Sequence, residues 1–312
     1  MDTEPGLSPD PGPEQPQERP NWIDWLFRGP SRIAAVLRVL VYLPVVVALV
    51  FLLQPFVRAL SRPRLSALAP MNFFLQEASL AIAVLLAALV MSLLEKKKPG
   101  EYGLPLHGAF RKLFWQGVLV GLVEVSALIG LIAWRGGYSF GSLAVHHVQL
   151  VRWLFFWAIF FLLVGFFEEF LFRGYTQFTL GQGIGFWPSA VVLSAIFGLV
   201  HLSNLGEGIV GALSVVMIGL ILSLSLRRTG TLWFAVGLHA SFDWGETFLF
   251  SVPNSGFVAS GHLSNASLHG PAWLTGGTVG PEGSVFSFLT MAVLCYAIHR
   301  FYPAKKAAAA SQ

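Results

Sequence analysis

Charge is scarce in this chain and cysteine almost absent. Only 12% of its 312 residues are charged, and 55% are hydrophobic; ordinary soluble domains carry about 25% charged residues. That balance excludes a soluble globular enzyme and predicts an all-α, polytopic membrane protein. The net charge of +4 does not predict a nucleic-acid partner, because the basic residues fall in short clusters between apolar runs, a pattern of membrane topology. The single cysteine, Cys295, lies in the last apolar run, so neither an intrachain disulfide nor a zinc-type cysteine pair can form. A His-Glu-x-x-His signature is lacking, and so is an internal repeat of the kind that marks transporters built from two related halves. Met1 to Pro20 lacks the basic start, apolar centre and small-residue cleavage site of a secretory signal.

Eight apolar runs are present, near 34–57, 73–94, 113–134, 153–172, 187–203, 208–226, 231–250 and 285–302. Each approaches the roughly 20 residues that cross about 30 Å of hydrocarbon as a helix. Residues 1–33 read as a Pro-rich, acidic, disordered cytoplasmic tail. Within it Trp22 and Trp25 flank Asp24, as in a short helix lying in the headgroup layer. Residues 34–302 form the transmembrane domain, and 303–312 a short C-terminal tail. Lys96, Lys97, Lys98, Arg111, Lys112, Arg227, Arg228, Arg300, Lys305 and Lys306 fall on one side of this arrangement. Their excess over the other side predicts both termini in the cytoplasm, although Arg58, Arg62 and Arg64 oppose it locally. The connection from Ser251 to Ser284 is long, rich in Gly and Ser and free of Lys and Arg; its His262 and His269 read as solvated loop histidines.

Polar residues inside the runs narrow the choice. Phe166-Phe167-Glu168-Glu169-Phe170-Leu171-Phe172-Arg173-Gly174 places two carboxylates and an arginine in an otherwise apolar stretch. Charges at such depth cost roughly 2.5–3.5 kcal/mol each on insertion scales and mark functional sites by default. On a helix Glu169 and Arg173 are four apart and pair on one face, while Glu168 is turned about 100° away and left for chemistry. A buried ion pair that only locks helices is the plainer reading, but it needs one carboxylate and there are two. The fifth run carries His201 and the seventh His239, which shares a helical face with Asp243. Glu124 stands alone in the third run and reads first as a protonated or paired structural residue. Glu246 lies on a face neighbouring Asp243, and Glu207 suits the positive end of the helix that follows it.

Glu168-Glu169-x-x-x-Arg173, then Phe197-x-x-x-His201, then His239-x-x-x-Asp243, in order and on successive runs, resembles the CPBP family. These are the CAAX prenyl protease and bacteriocin-processing proteins, also called the Abi family. The similarity covers about 110–250. It implies an intramembrane endopeptidase in which Glu168 activates a water, Glu169 and Arg173 form an orienting ion pair, and His201 assists water activation. His239 and Asp243 match the motif thought to bind the developing oxyanion, where the family often has Asn in place of Asp243. An ionised carboxylate only accepts hydrogen bonds, so Asp243 suits that role only when protonated; otherwise it orients His239 through a ring N–H or joins a metal shell.

The chemistry agrees on its own terms. Amide hydrolysis needs a polarised water and a donor aimed at the carbonyl oxygen as charge develops. The favoured reading is a metal-free pair of Glu168 and His201. The alternative is a zinc or other divalent site of Glu168, His201 and His239 with Glu169 as base, a ligand set suited to catalytic zinc. From another class, a proton-coupled carrier or a non-hydrolytic membrane scaffold also uses intramembrane Glu and His. The expected partners are the bilayer and a membrane-anchored peptide or protein substrate, in a bacterial inner membrane. Hydropathy alone puts Glu168 and His201 at opposite depths. They meet only if the fourth helix runs on through Tyr175 and Phe178 towards the break at Gly181-Gln182-Gly183-Ile184-Gly185, or if the fifth run is displaced in depth.

Overall fold

The computed structural model describes residues 21–61, 70–204, 206–258 and 260–303. The Pro-rich segment 1–20, Arg62 and Arg64, and nearly all of the C-terminal tail lie outside these residues. The described chain is an all-α bundle. Its helices are α1 (Trp22–Arg28), α2 (Arg32–Leu60), α3 (Pro70–Glu95), α4 (Lys112–Trp134), α5 (His147–Glu169), α6 (Thr176–Ile184), α7 (Phe186–His201), α8 (Ile209–Thr229), α9 (Trp233–Trp244), α10 (Ala272–Thr275) and α11 (Val285–Phe301). Every apolar run of the sequence forms a helix. Arg32–Leu60, Pro70–Glu95, Lys112–Trp134, His147–Ile184 and Ile209–Thr229 are long and apolar enough to cross a membrane. α7, α9 and α11 are shorter, at 16, 12 and 17 residues.

α9 owes its short length to its position. Trp233 to Leu238 is buried on every side, so this helix packs against protein and need not match the thickness of lipid. Its neighbours α4 and α5 approach so closely that only glycine fits. A Cβ on Gly117 or Gly121 of α4 would collide with the carbonyls of Phe234 and Leu238, and one on Gly237 of α9 with the carbonyl of Phe114. Small residues at such crossings replace the hydrophobic drive that lipid removes with close backbone packing. The Ser241 hydroxyl adds a hydrogen bond from α9 to the Val118 carbonyl at 3.0 Å.

The fourth run forms a helix that continues past the expected end at 172. α5 passes into a π-helical turn over Phe170–Tyr175, kinked at Gly174, and then into α6. The wider turn frees carbonyls, and the Thr176 hydroxyl donates to those of Leu171 and Phe172. The break falls within the glycine cluster, at Gly185, with φ +90°. A second π turn, Gly245–Leu249, extends α9. Such insertions are rare and concentrate at functional sites.

The two long connections are tied together. β1 (Tyr138–Ser139) pairs antiparallel with β2 (Ser267–Leu268), and Leu143 bridges to Ser264. The Tyr138 hydroxyl also donates to the Phe250 carbonyl at 3.0 Å. His269 is exposed and lies within 3.1 Å of the Ser139 hydroxyl. His262 is only half-buried and contacts the Ser264 carbonyl at 2.7 Å.

Replacing Gly121 or Gly237 by valine overpacks this crossing, which costs about 1–3 kcal/mol. Thermal unfolding of the purified protein in detergent should show both variants destabilised. Gly130→Ala, on the same helix with open space around it, should unfold at or above the wild-type temperature.

Candidate active site

The polar residues of three helices converge on one point. Glu169 is fully buried at the end of α5, and Arg173 follows it in the π turn at 1% exposure. Arg173 Nη1 donates to Glu169 Oε1 at 3.2 Å. The same oxygen lies 2.9 Å from His239 Nδ1 on α9, so one carboxylate oxygen serves both a cation and an imidazole. The other face of the His239 ring meets two more carboxylates. Its Nε2 is 3.4 Å from Asp243 Oδ2 and 3.6 Å from Glu168 Oε2. An imidazole with carboxyl groups against both nitrogens either carries a proton on each and donates from both, or donates from one and accepts from a protonated carboxyl at the other.

Arg173 also fixes α7. Its guanidinium sits over the Phe197 ring at 4.4 Å, and the Phe197 ring meets the His201 ring edge to face at 4.5 Å. Gly219 of α8 leaves the space, since a Cβ there would run into Arg173 Nη2 and Ser194. His201 Nδ1 lies 2.8 Å from the Phe197 carbonyl, which can only accept. This contact puts the ring proton on Nδ1 in the neutral form and leaves Nε2 with a free lone pair.

Glu168, His201, His239 and Asp243 line a single cavity of about 430 Å³. The continuation of α5 through Phe178 therefore resolves the depth mismatch read from hydropathy. Glu169 and Arg173 stand behind the cavity wall rather than in it. Glu124 of α4 reaches the cavity too, and its Oε1 has no hydrogen-bond partner among the described residues. Glu246 is fully buried and does not line the cavity; Glu207 lies against Gly211 in the first turn of α8. Among the described residues, no group of three or more His, Cys, Asp and Glu is arranged to hold a metal ion.

Several lining residues escape sequence reading. Glu77 of α3 carries the signal that singles out Glu124, a lone carboxylate in an apolar run. The loop after α9 gives no such sign, yet it folds back to supply Asn254, Ser255, Phe257 and Glu282. The Phe257 ring packs on Phe73 of α3 at 4.8 Å, and Glu282 Oε1 accepts from the Ser255 amide at 2.6 Å. Burial, with Asp243 and Glu207 nearby, pushes the Glu282 carboxyl up to about 8.

These features define an integral membrane helical bundle with a cavity, lined by acidic and imidazole side chains among apolar ones, between its helices and the loop after α9. A model of the type II CAAX prenyl endopeptidase Rce1-like family matches residues 150–245, the stretch from α5 to the start of the second π turn. In that stretch, less than half of the chain, the sequence is similar to the CAAX protease, or CPBP, family. No curated protein matches the chain.

Truncating Arg173 to alanine leaves Glu169 charged and buried without its partner, a loss of about 3–5 kcal/mol. Arg173→Ala should lower the unfolding temperature sharply. The double variant Glu169→Gln/Arg173→Met should recover a large part of that loss, because no unpaired charge remains; equal unfolding temperatures for the two would contradict the pairing.

Proposed function

We propose that the protein is an intramembrane endopeptidase in which Glu168 is the general base for a water that attacks a peptide carbonyl. The observation that carries this reading is the convergence of Glu168, His201 and His239 on one cavity. A carboxylate and an imidazole with a free lone pair are both acceptors for water protons, which is what activation requires. The family match supports peptide hydrolysis in general, and the residue roles are our own proposal.

Glu168 takes a proton as the water oxygen bonds to the carbonyl carbon, and the carbonyl oxygen becomes an oxyanion. Once protonated, the Glu168 carboxyl no longer competes for the Nε2 proton of His239. That proton is then free to be donated to the oxyanion, the group that most needs a fixed donor. Collapse of the adduct breaks the C–N bond, and the proton held by Glu168 passes to the departing amine. Glu169, anchored by Arg173, holds the His239 ring in place throughout. Asp243 shares Nε2 and serves as a positioning residue rather than an oxyanion donor. His201 orients the water through Nε2.

A labelled transmembrane peptide incubated with purified protein tests this. Glu168→Gln should lower the cleavage rate by about 100- to 10,000-fold, the usual worth of a general base, with an unchanged unfolding temperature. Cleavage at the wild-type rate by this variant would remove Glu168 from the mechanism. Chelators should leave the wild-type rate intact in this metal-free reading; loss on chelation with recovery on adding zinc would favour the metal site of Glu168, His201 and His239.

A further inference from the structure

The cavity is one-sided in its ionisable side chains. Glu77, Glu124, Glu168, Asp243 and Glu282 line it, and among its described lining residues there is no Lys or Arg. Arg173 is paired with Glu169 behind the wall, and its positive charge is neutralised there. Only the two imidazoles are available to offset the lining carboxylates. Two of those carboxylates, Glu168 and Asp243, face His239.

Glu124 has no such assignment in the proposed chemistry. It is 7% exposed and lines the cavity from the middle of α4; Thr290 of α11 hydrogen-bonds its carboxyl, while Oε1 lacks a partner among the described residues. A buried carboxylate oxygen left unpaired is costly. Its cost is offset when a ligand brings a donor, above all a cationic one. Glu282, on the loop that closes the cavity, adds a second carboxylate to the same wall. The remaining lining is mainly aromatic and aliphatic, including Phe160, Phe161 and Leu128. Apolar walls with a carboxylate at depth match the aliphatic stem and charged head of a lysine or arginine.

Resting on the peptidase reading, we propose that the cavity selects a peptide segment carrying a basic side chain, and that Glu124 is the specificity-determining residue that receives it. A substrate whose terminal carboxylate had to enter this cavity would meet carboxyl groups on several sides and no Lys or Arg among the described lining residues. Like-charge contacts of this kind suppress wrong partners. The preferred substrate is therefore an apolar segment interrupted by Lys or Arg, cut within the chain.

The test uses the full-length protein in nanodiscs of zwitterionic phosphatidylcholine, so that anionic lipid does not concentrate basic peptides. The probes are N-acetylated, C-amidated transmembrane peptides with lysine, norleucine or glutamate scanned through otherwise identical positions. Cleavage is followed by mass spectrometry, and binding by fluorescence anisotropy to the Glu168→Gln variant. A set with a free N-terminus distinguishes a side-chain ammonium from a terminal one.

At one or more positions, lysine should exceed norleucine about tenfold in both binding and kcat/KM, and glutamate should be the poorest. A single well-placed charge contact is worth discrimination of about that order. Glu124→Gln should bring the lysine-to-norleucine ratio close to one, and Glu124→Lys should reverse the order in favour of glutamate, an outcome a misfolded protein cannot give. Indifference to charge in both assays overturns the proposal while leaving the peptidase reading intact. Selective binding of lysine peptides without cleavage of any peptide keeps the specificity and removes the peptidase. A preference that Glu124→Gln leaves unmoved, or one seen only with a free N-terminus, overturns the role given to Glu124.

Discussion

One oxygen atom organises this molecule. Glu169 Oε1 accepts from Arg173 within its own helical segment and meets His239 on α9. Through Arg173 it also reaches Phe197 of α7, and through that ring His201. The buried pair is weak support for stability, because desolvating two ions costs about as much as their attraction returns. Its value is positional: packings of these three helices that separate the pair would leave an unpaired buried charge, at a cost of about 3–5 kcal/mol. The site's geometry is thus fixed from behind, by groups that do not line the cavity.

The backbone supports the same arrangement by a different force. Where α9 crosses α4, glycines at 117, 121 and 237 let carbonyls and Cα atoms approach to contact distance. Dispersion over such a surface is small per atom pair and large in sum. α9 is buried between its neighbours, which presents His239 and Asp243 to the cavity and keeps both away from lipid. The π turns adjoin both site motifs, directly after Glu169 and directly after Trp244.

The sequence makes much of this legible, for physical reasons. Charged groups in an apolar run are expensive, so Glu168, Glu169, Arg173, His201, His239 and Asp243 stand out from the order of residues alone, and helical spacing pairs Glu169 with Arg173 and His239 with Asp243. Hydropathy locates the helices, because burial in lipid or in protein demands the same apolar side chains. For that reason it cannot tell that α9 is a short core helix and not a full-length span. The π turn is illegible because it is set by tertiary packing around Gly174 and Thr176. Glu77, like Glu124, is a lone carboxylate in an apolar run, and neither has a helically spaced partner that ties it to the site motifs. The loop residues Asn254, Ser255 and Glu282 sit among turn-forming residues, where a polar side chain carries no signal; only the return of the chain against α3 and α8 gives them a place in the wall.

That returning loop joins the bundle through the β1–β2 pair, the Leu143–Ser264 bridge, backbone hydrogen bonds such as His269 to Gly137 and Leu263 to Phe248, and side-chain contacts such as Tyr138 with Phe250. Local openings in proteins range in free energy from near zero to the full cost of unfolding, according to how many contacts each unit must give up. The exposed stretches of this loop belong lower in that range than α9, whose residues 233–238 are buried. The loop and the wall carrying His239 therefore breathe on different schedules, and amide hydrogens at the exposed Gly270 and Ala272 should exchange long before that of Leu238.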